Sequence, residues 1–169
     1  MNMTHYMELL AVNQPWNLIL FMGIPVVLAE TVAVTELYLL YTRNYRSPIR
    51  TLNRLAGLLV GVYFVGVFVY LLQGAVIPLT QGGGWRGWID VMAVAFYLLG
   101  VIPLGAIALL ELNVLGKGQD EHRKMLTHAA MVGLFLIVAH IAMIFGMMDP
   151  TLGGYQPAPV AMGQTHGGH

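Results

Sequence analysis

The sequence contains no cysteine, which excludes disulfides, zinc fingers, iron–sulfur clusters and thiol catalysis. It is also poor in charge. Only 9% of its 169 residues are Asp, Glu, Lys or Arg, against roughly a quarter in a soluble domain of ordinary composition. So small a charged fraction cannot cover a surface that faces water. Neither sign is in excess: eight basic residues balance eight acidic ones. The chain therefore lacks the basic face that phosphate binding requires, which excludes nucleic acid as a partner. What it has instead is apolar content, 57% of all residues, with a mean hydropathy of +0.70. This is the composition of an integral membrane protein whose first partner is the lipid bilayer.

A helix that crosses the bilayer needs about 20 mostly apolar residues. Four stretches meet that length, at about 16–41, 55–79, 88–112 and 125–148. Polar, turn-rich connections separate them: Arg43 to Arg54 with Ser47-Pro48, then Gln81-Gly82-Gly83-Gly84, then Gly116-Lys117-Gly118-Gln119-Asp120. Asp149-Pro150 ends the last, because proline cannot continue a helix. Alternating strands of the kind that close into barrels are not present in these unbroken runs. The sequence predicts an all-α, integral membrane four-helix bundle over residues 1–150, followed by a flexible Gly/Pro/His tail over 151–169.

Basic residues set the expected direction of insertion. The first connection holds Arg43, Arg46, Arg50 and Arg54 and the third holds Lys117, Arg123 and Lys124, seven of the eight in the chain. These loops are expected on the cytoplasmic side, with both termini outside, in the periplasm of a bacterial cytoplasmic (inner) membrane. Trp16, Trp85 and Trp88 then mark the outer boundary and Tyr38, Tyr41 and Tyr45 the inner one. Met1 to Gln14 has neither a basic start nor a cleavage site, so the first span is read as its own insertion signal.

Within the spans most unusual residues have a packing explanation. Gly57 and Gly61 form a GxxxG pair, followed by Gly66, suited to close helix approach inside the bundle. Pro25 and Pro103 each remove a backbone hydrogen bond and are expected to kink their helices. The 11 methionines read mainly as gap-fillers.

Ionisable residues at membrane depth demand more explanation, since a charge at the bilayer centre costs about 2.5–3.5 kcal/mol on insertion scales. At about 1.5 Å per residue, Glu30 falls roughly 20 Å below Trp16, and Glu36 about 9 Å deeper, near the inner edge. Glu111 and His128 fall at that same inner level on two other helices. His140 lies roughly 18 Å further up its helix than His128. Asp90 begins the third span near the outer boundary. Together these residues read as a discontinuous ladder of proton-active or metal-capable groups. Boundary pairing of Glu36 and Glu111 with Arg43, Lys117 or Arg123 is the competing explanation. Glu30, near Pro25, Thr31 and Thr35, is the residue expected to have something useful opposite it.

Metal and haem readings follow from the same residues. Carboxylate with imidazole suits iron, manganese or zinc, and Glu36, Glu111 and His128 are three such donors on three helices. The tail residues Met162, His166 and His169 offer thioether and imidazole donors suited to copper, and His5 lies on the same side. A b-type haem ranks behind these, since His128 and His140 share one helix and His5 and His122 fall outside the core.

At Glu121-His122-Arg123-Lys124-Met125, with His128 and His140 following, the last span resembles the entry to the last span of several small bacterial four-helix families. These include uncharacterised four-span inner-membrane proteins, sometimes labelled permeases, and, more distantly, cytochrome b561-like proteins. Residues 25–37, from Pro25 through Glu30 to Leu37, also look like the first span of such an uncharacterised family. The resemblance implies the four-span fold and carries no activity with it.

The functional expectation is a non-catalytic inner-membrane subunit or accessory protein of a respiratory or metal-dependent assembly. In that expectation Glu30, Glu36, Glu111, His128 and His140 handle protons or metal. A small oligomeric transporter or channel for protons or divalent cations is the alternative, and a haem- or quinone-binding electron carrier the third. Short loops leave no room for a soluble catalytic domain, so an enzyme is the less favoured class.

Overall fold

A computed structural model of the chain describes residues 3–157. Among these residues there are five helices and no strand. A short helix, α1 (His5–Ala11), precedes four long ones: α2 (Trp16–Thr42), α3 (Pro48–Gln81), α4 (Trp88–Glu111) and α5 (Glu121–Met147). A 3-10 turn, Pro150–Gly153, follows. The four long helices are long and apolar enough to span a membrane, and they indicate a multi-pass membrane protein. Each packs on two neighbours, closing a ring in the order α2, α3, α4, α5. Large apolar side chains point away from the ring on every span, among them Val34, Leu37, Val62, Ile102 and Ile137. An outward face of that kind suits lipid.

Two helix starts lie further out than the hydropathy implied. The second span begins at Pro48 rather than near 55, because Ser47 is extended (φ −73°, ψ 156°) and Pro48 occupies the first turn. Proline is favoured there, since its missing N–H would be unpaired anyway. The fourth begins at Glu121 rather than 125, where the Asp120 side chain accepts from Arg123 N–H at 2.7 Å. Cap chemistry, not the onset of apolar residues, sets where a helix starts. As a result Arg50, Asn53 and Lys124 belong to helices and face the bundle.

Ile-Pro recurs in three spans, at Ile24-Pro25, Ile77-Pro78 and Ile102-Pro103. Before Pro25 the helix widens into a π-turn, Ile19–Gly23, and Ile24 N–H reaches back five residues to Ile19 O. Pro25 has no N–H, so the carbonyls of Leu20 and Phe21 lose their donor. Tyr63 donates to Leu20 O at 2.9 Å, and the buried Tyr97 hydroxyl donates to Phe21 O. Side chains of neighbouring helices thus satisfy the polar backbone that the proline exposes, as hydrocarbon surroundings require. A second π-turn, Leu72–Val76, precedes Pro78. Ahead of Pro103 the helix tightens at Gly100, whose N–H reaches Tyr97 O at 3.1 Å. A Cβ there would lie 3.2 Å from the rings of both Phe64 and Phe135.

The GxxxG pair packs inside the bundle. A Cβ on Gly61 would come 2.5 Å from Ala108 Cβ and 2.7 Å from Leu104 O, so α3 and α4 touch almost backbone to backbone. Gly66 has nothing within 4 Å and takes no part.

Helix α1 closes the end of the bundle that carries both ends of the described chain. Thr4 caps it by accepting from Met7 N–H at 3.3 Å and donates its hydroxyl to Gly146 O at 2.8 Å. The Tyr6 ring lies over Gly146 and 5.3 Å from Tyr97, and Leu10 is buried. No apolar run marks this helix in the sequence. Its amphipathic turn is held by contacts with α4 and α5.

Candidate functional site

The cap at Ser47-Pro48 places Arg50 and Asn53 on the inward face of α3, and the cap at Asp120 places Lys124 and His128 on the inward face of α5. With Glu36 of α2 and Glu111 of α4 they form a buried ionic cluster at the basic-loop end of the bundle. Glu36, Asn53, Glu111 and His128 are all at most 1% exposed. Arg50 grips Glu111 as a two-pronged fork, Nη1 to Oε1 at 2.7 Å and Nη2 to Oε2 at 3.1 Å. Such bidentate pairs are the strongest geometry available to a carboxylate. Lys124 Nζ adds a contact at 3.3 Å to Glu111 Oε2, and Arg50 Nε extends the chain outward to Glu121 at 3.0 Å. His128 sits between the two acids. Its Nδ1 is 2.9 Å from Glu36 Oε1, and its Nε2 is 3.2 Å from Glu111 Oε1 without the alignment of a good hydrogen bond.

The surroundings of Glu36 differ from those of Glu111. Both fixed cations lie on Glu111. Among the described residues His128 Nδ1 lies in hydrogen-bond contact with Glu36 Oε1, Asn53 also acts on this carboxyl, and Glu36 Oε2 is buried without a well-aligned partner. Asn53 organises the wall beside it, donating to Thr35 Oγ1 at 2.9 Å and Val32 O at 3.2 Å while accepting from Arg50 at 3.3 Å. Gly57 lies beside the cluster: a Cβ there would make ordinary contact with Glu111 Cγ at 3.7 Å and His128 Cε1 at 3.8 Å, and would crowd Ile107 at 3.0 Å. The partners of Glu111 are therefore Arg50 and Lys124, not the loop residues Arg43, Lys117 and Arg123 weighed as boundary partners.

Glu30 and His140 lie elsewhere. Both are exposed on the outer surface of the ring, lining one groove of about 240 Å³ between α2 and α5, among Pro25, Ala29, Ala139 and Met143. His140 turns Nδ1 onto Leu136 O of its own helix, at 2.6 Å. Among the described residues Glu30 has no hydrogen-bonding or ionic partner. Thr31 and Thr35, expected to make a polar setting for it, donate instead to their own helix carbonyls Val27 O and Thr31 O. The groups of the discontinuous ladder therefore do not all face the interior of the ring. Buried Val32, Val60, Phe64, Leu104, Val132 and Phe135 form an apolar layer inside the ring, and Glu30 and His140 bypass it on the lipid side.

His5 and Asp90 meet at the opposite end. Asp90, fully buried, accepts from His5 N–H at 2.6 Å and from Arg86 N–H at 3.1 Å, and its Oδ2 lies 2.6 Å from His5 Nδ1. Arg86 also pairs with Glu8 at 2.6 Å. These contacts pin α1 to the start of α4, a fixing role for His5 rather than a free metal donor. Burial pushes the neighbouring Tyr6 hydroxyl up to about 12. No three His, Asp or Glu side chains among the described residues converge to hold a metal ion. At the inner cluster Arg50 and Lys124 hold Glu111, and His128 holds one oxygen of Glu36. For haem, His128 has both ring nitrogens turned to carboxylates. Met162, His166 and His169 lie outside the described residues.

Arg50, Asn53 and Lys124 were not singled out from sequence. Two signals pointed to them: the Ser-Pro start, which draws Arg50 and Asn53 onto the helix, and the need of any buried acid for a cation.

The fold and this site define a class: a compact multi-pass helical membrane protein with a buried acid–histidine–arginine cluster at one end. Within that class the chain belongs to a family of unknown function, DUF6803, which it matches over residues 1–162. No curated protein and no solved structure matches it.

Proposed function

We propose that the protein is a non-catalytic subunit or accessory protein of a larger membrane assembly, and that the α2–α5 face is where its partner sits. The observation that carries this reading is Glu30, exposed on an apolar face at membrane depth with no partner of its own. Leaving an ionised acid against acyl chains costs about 2.5–3.5 kcal/mol. A helix bearing a hydrogen-bond donor or a cation, laid against Glu30 and His140, removes that cost. The count of basic residues supports Arg-rich loops in the cytoplasm and both termini outside, in this reading of a bacterial inner membrane. In such an assembly, respiratory or metal-dependent, the Glu36–His128–Glu111 cluster is the element with proton chemistry.

A small oligomeric proton or cation channel is the second reading. The apolar layer closes the interior of each copy, so a route would run along Glu30 and His140 between copies. Purification in a mild detergent tests both. The expected result is a particle holding another integral membrane polypeptide, retained in Val27→Leu and lost in Glu30→Leu. Further copies of this chain alone would favour the channel. A monodisperse single copy would refute the assembly reading.

A further inference from the structure

The contacts of His128 lead to a conclusion about protons that does not depend on any partner. A neutral imidazole has one N–H and one lone pair. With the hydrogen on Nδ1, His128 donates to Glu36, but its Nε2 lone pair then lies 3.2 Å from a Glu111 oxygen. With the hydrogen on Nε2, the Nδ1 lone pair lies 2.9 Å from Glu36 Oε1. In a buried site either lone-pair contact with an ionised carboxylate is repulsive. Three arrangements relieve it; a neutral Glu111 donating to Nε2 would weaken the Arg50 fork and the Lys124 contact, which leaves two. His128 is an imidazolium donating from Nδ1 to Glu36 with Nε2–H in ionic contact with Glu111, or Glu36 is a neutral acid donating to Nδ1 while Nε2–H faces Glu111. The two differ only by moving one proton between Glu36 Oε1 and His128 Nδ1, so the number of protons bound is the same.

Charged side chains from the neighbouring helices surround these three residues. Side chains linked at 3.3 Å or less include three carboxylates, Glu36, Glu111 and Glu121, and two fixed cations, Arg50 and Lys124. Glu121 is itself about half exposed, at 52%. Arg54, at 4.0 Å from Glu111, is more than half exposed and solvated. His122 is engaged with Tyr45 at 2.7 Å.

We propose that Glu36, His128 and Glu111 form a proton-binding site that holds one proton in common and exchanges it with the basic-loop side alone. Glu111, itself fully buried, is the member that borders the basic-loop side. It lines a pocket of about 370 Å³ with Arg50, Asn113, Glu121 and Lys124. His128 relays between it and Glu36, one ring nitrogen to each. Beyond Glu36 the buried Val32, Val60, Phe64 and Phe135 offer no polar atom to continue the relay. The site loads and unloads from one face, as a sensor of proton activity there, and does not conduct.

Nitrogen-15 NMR of histidine-labelled protein in liposomes at neutral pH, with infrared detection of protonated carboxyl groups, tests this. His128→Gln assigns the resonance; if that variant does not fold, replacing the other five histidines leaves His128 as the sole signal. The expected result is an imidazolium at His128, or a neutral His128 with a protonated acid band absent from Glu36→Gln. In Glu36→Gln an imidazolium signal should convert to neutral at the same pH. A neutral His128 in the wild type with no protonated acid would overturn the proposal. So would a His128 signal that follows the pH of the chain-end side in oriented liposomes while the basic-loop side is held constant.

Discussion

Replacing Gly61 with alanine should separate α3 from α4. The added Cβ would lie 2.5 Å from Ala108 Cβ and 2.7 Å from Leu104 O, whereas ordinary contact begins near 3.4 Å. The helices must therefore part by about 0.9 Å at this point, the difference between 3.4 and 2.5 Å. One of the obstructing atoms is a backbone carbonyl, which cannot rotate aside. Overpacking of this kind costs about 1–3 kcal/mol, partly offset by the roughly 1 kcal/mol that alanine gains over glycine in a helix. Gly66 is the control, on the same helix with nothing within 4 Å of its Cβ. Because the propensity gain is common to both, Gly61→Ala should be less stable than Gly66→Ala by the packing cost, about 1–3 kcal/mol. Reversible denaturation in bicelles measures this difference. A second readout is the His128 resonance, since Arg50 on α3 reaches Glu111 on α4 and parting the helices loosens that fork. Equal stabilities, within the roughly 0.5 kcal/mol scatter of surface substitutions, would refute the close approach of these two spans.

Tyr97→Phe should leave Phe21 O without a donor, at about 1–3 kcal/mol. Pro25→Ala restores an N–H beneath that carbonyl, so the Tyr97→Phe cost should shrink in the Pro25→Ala background; an unchanged cost in the double-mutant cycle would refute the proline explanation. Helix α1 should come loose in alkali. With the Tyr6 hydroxyl raised to about 12 by burial, its contribution is complete below about pH 10, where a free tyrosine titrates, and is lost as pH climbs through 12. Hydrogen exchange or proteolysis of residues 5–11 should accelerate in that window, and Tyr6→Phe should abolish the step. A pH-independent α1 would show that Tyr6 is not what holds it.

Much of the architecture was legible before any coordinates. Four spans, their approximate limits and the in-bundle place of Gly57 and Gly61 follow from hydropathy, turn residues and the small-xxx-small spacing, which act locally along one helix. Helix starts were less legible where polar residues precede the apolar run. Pro48 decides one by its place in the first turn and Asp120 the other by capping, and hydropathy gives such residues no weight. Helix α1 was not legible at all. Seven residues cannot form a stable isolated helix, and what holds this one is tertiary: Thr4 on Gly146, His5 on Asp90 and Tyr6 over Gly146.

The ionisable residues show the division most clearly. Composition and the price of burying charge in hydrocarbon were enough to determine that this chain lives in a membrane and that Glu30, Glu36, Glu111, His128 and His140 each need an explanation. Depth along a helix can be counted from sequence, but the direction a side chain faces around the bundle depends on which helices are neighbours. Only the tertiary structure turned Glu36, Glu111 and His128 inward to meet Arg50 and Lys124, and turned Glu30 and His140 outward onto a common groove. A one-dimensional pattern records height; which face of each helix is covered is decided by the packing of all four.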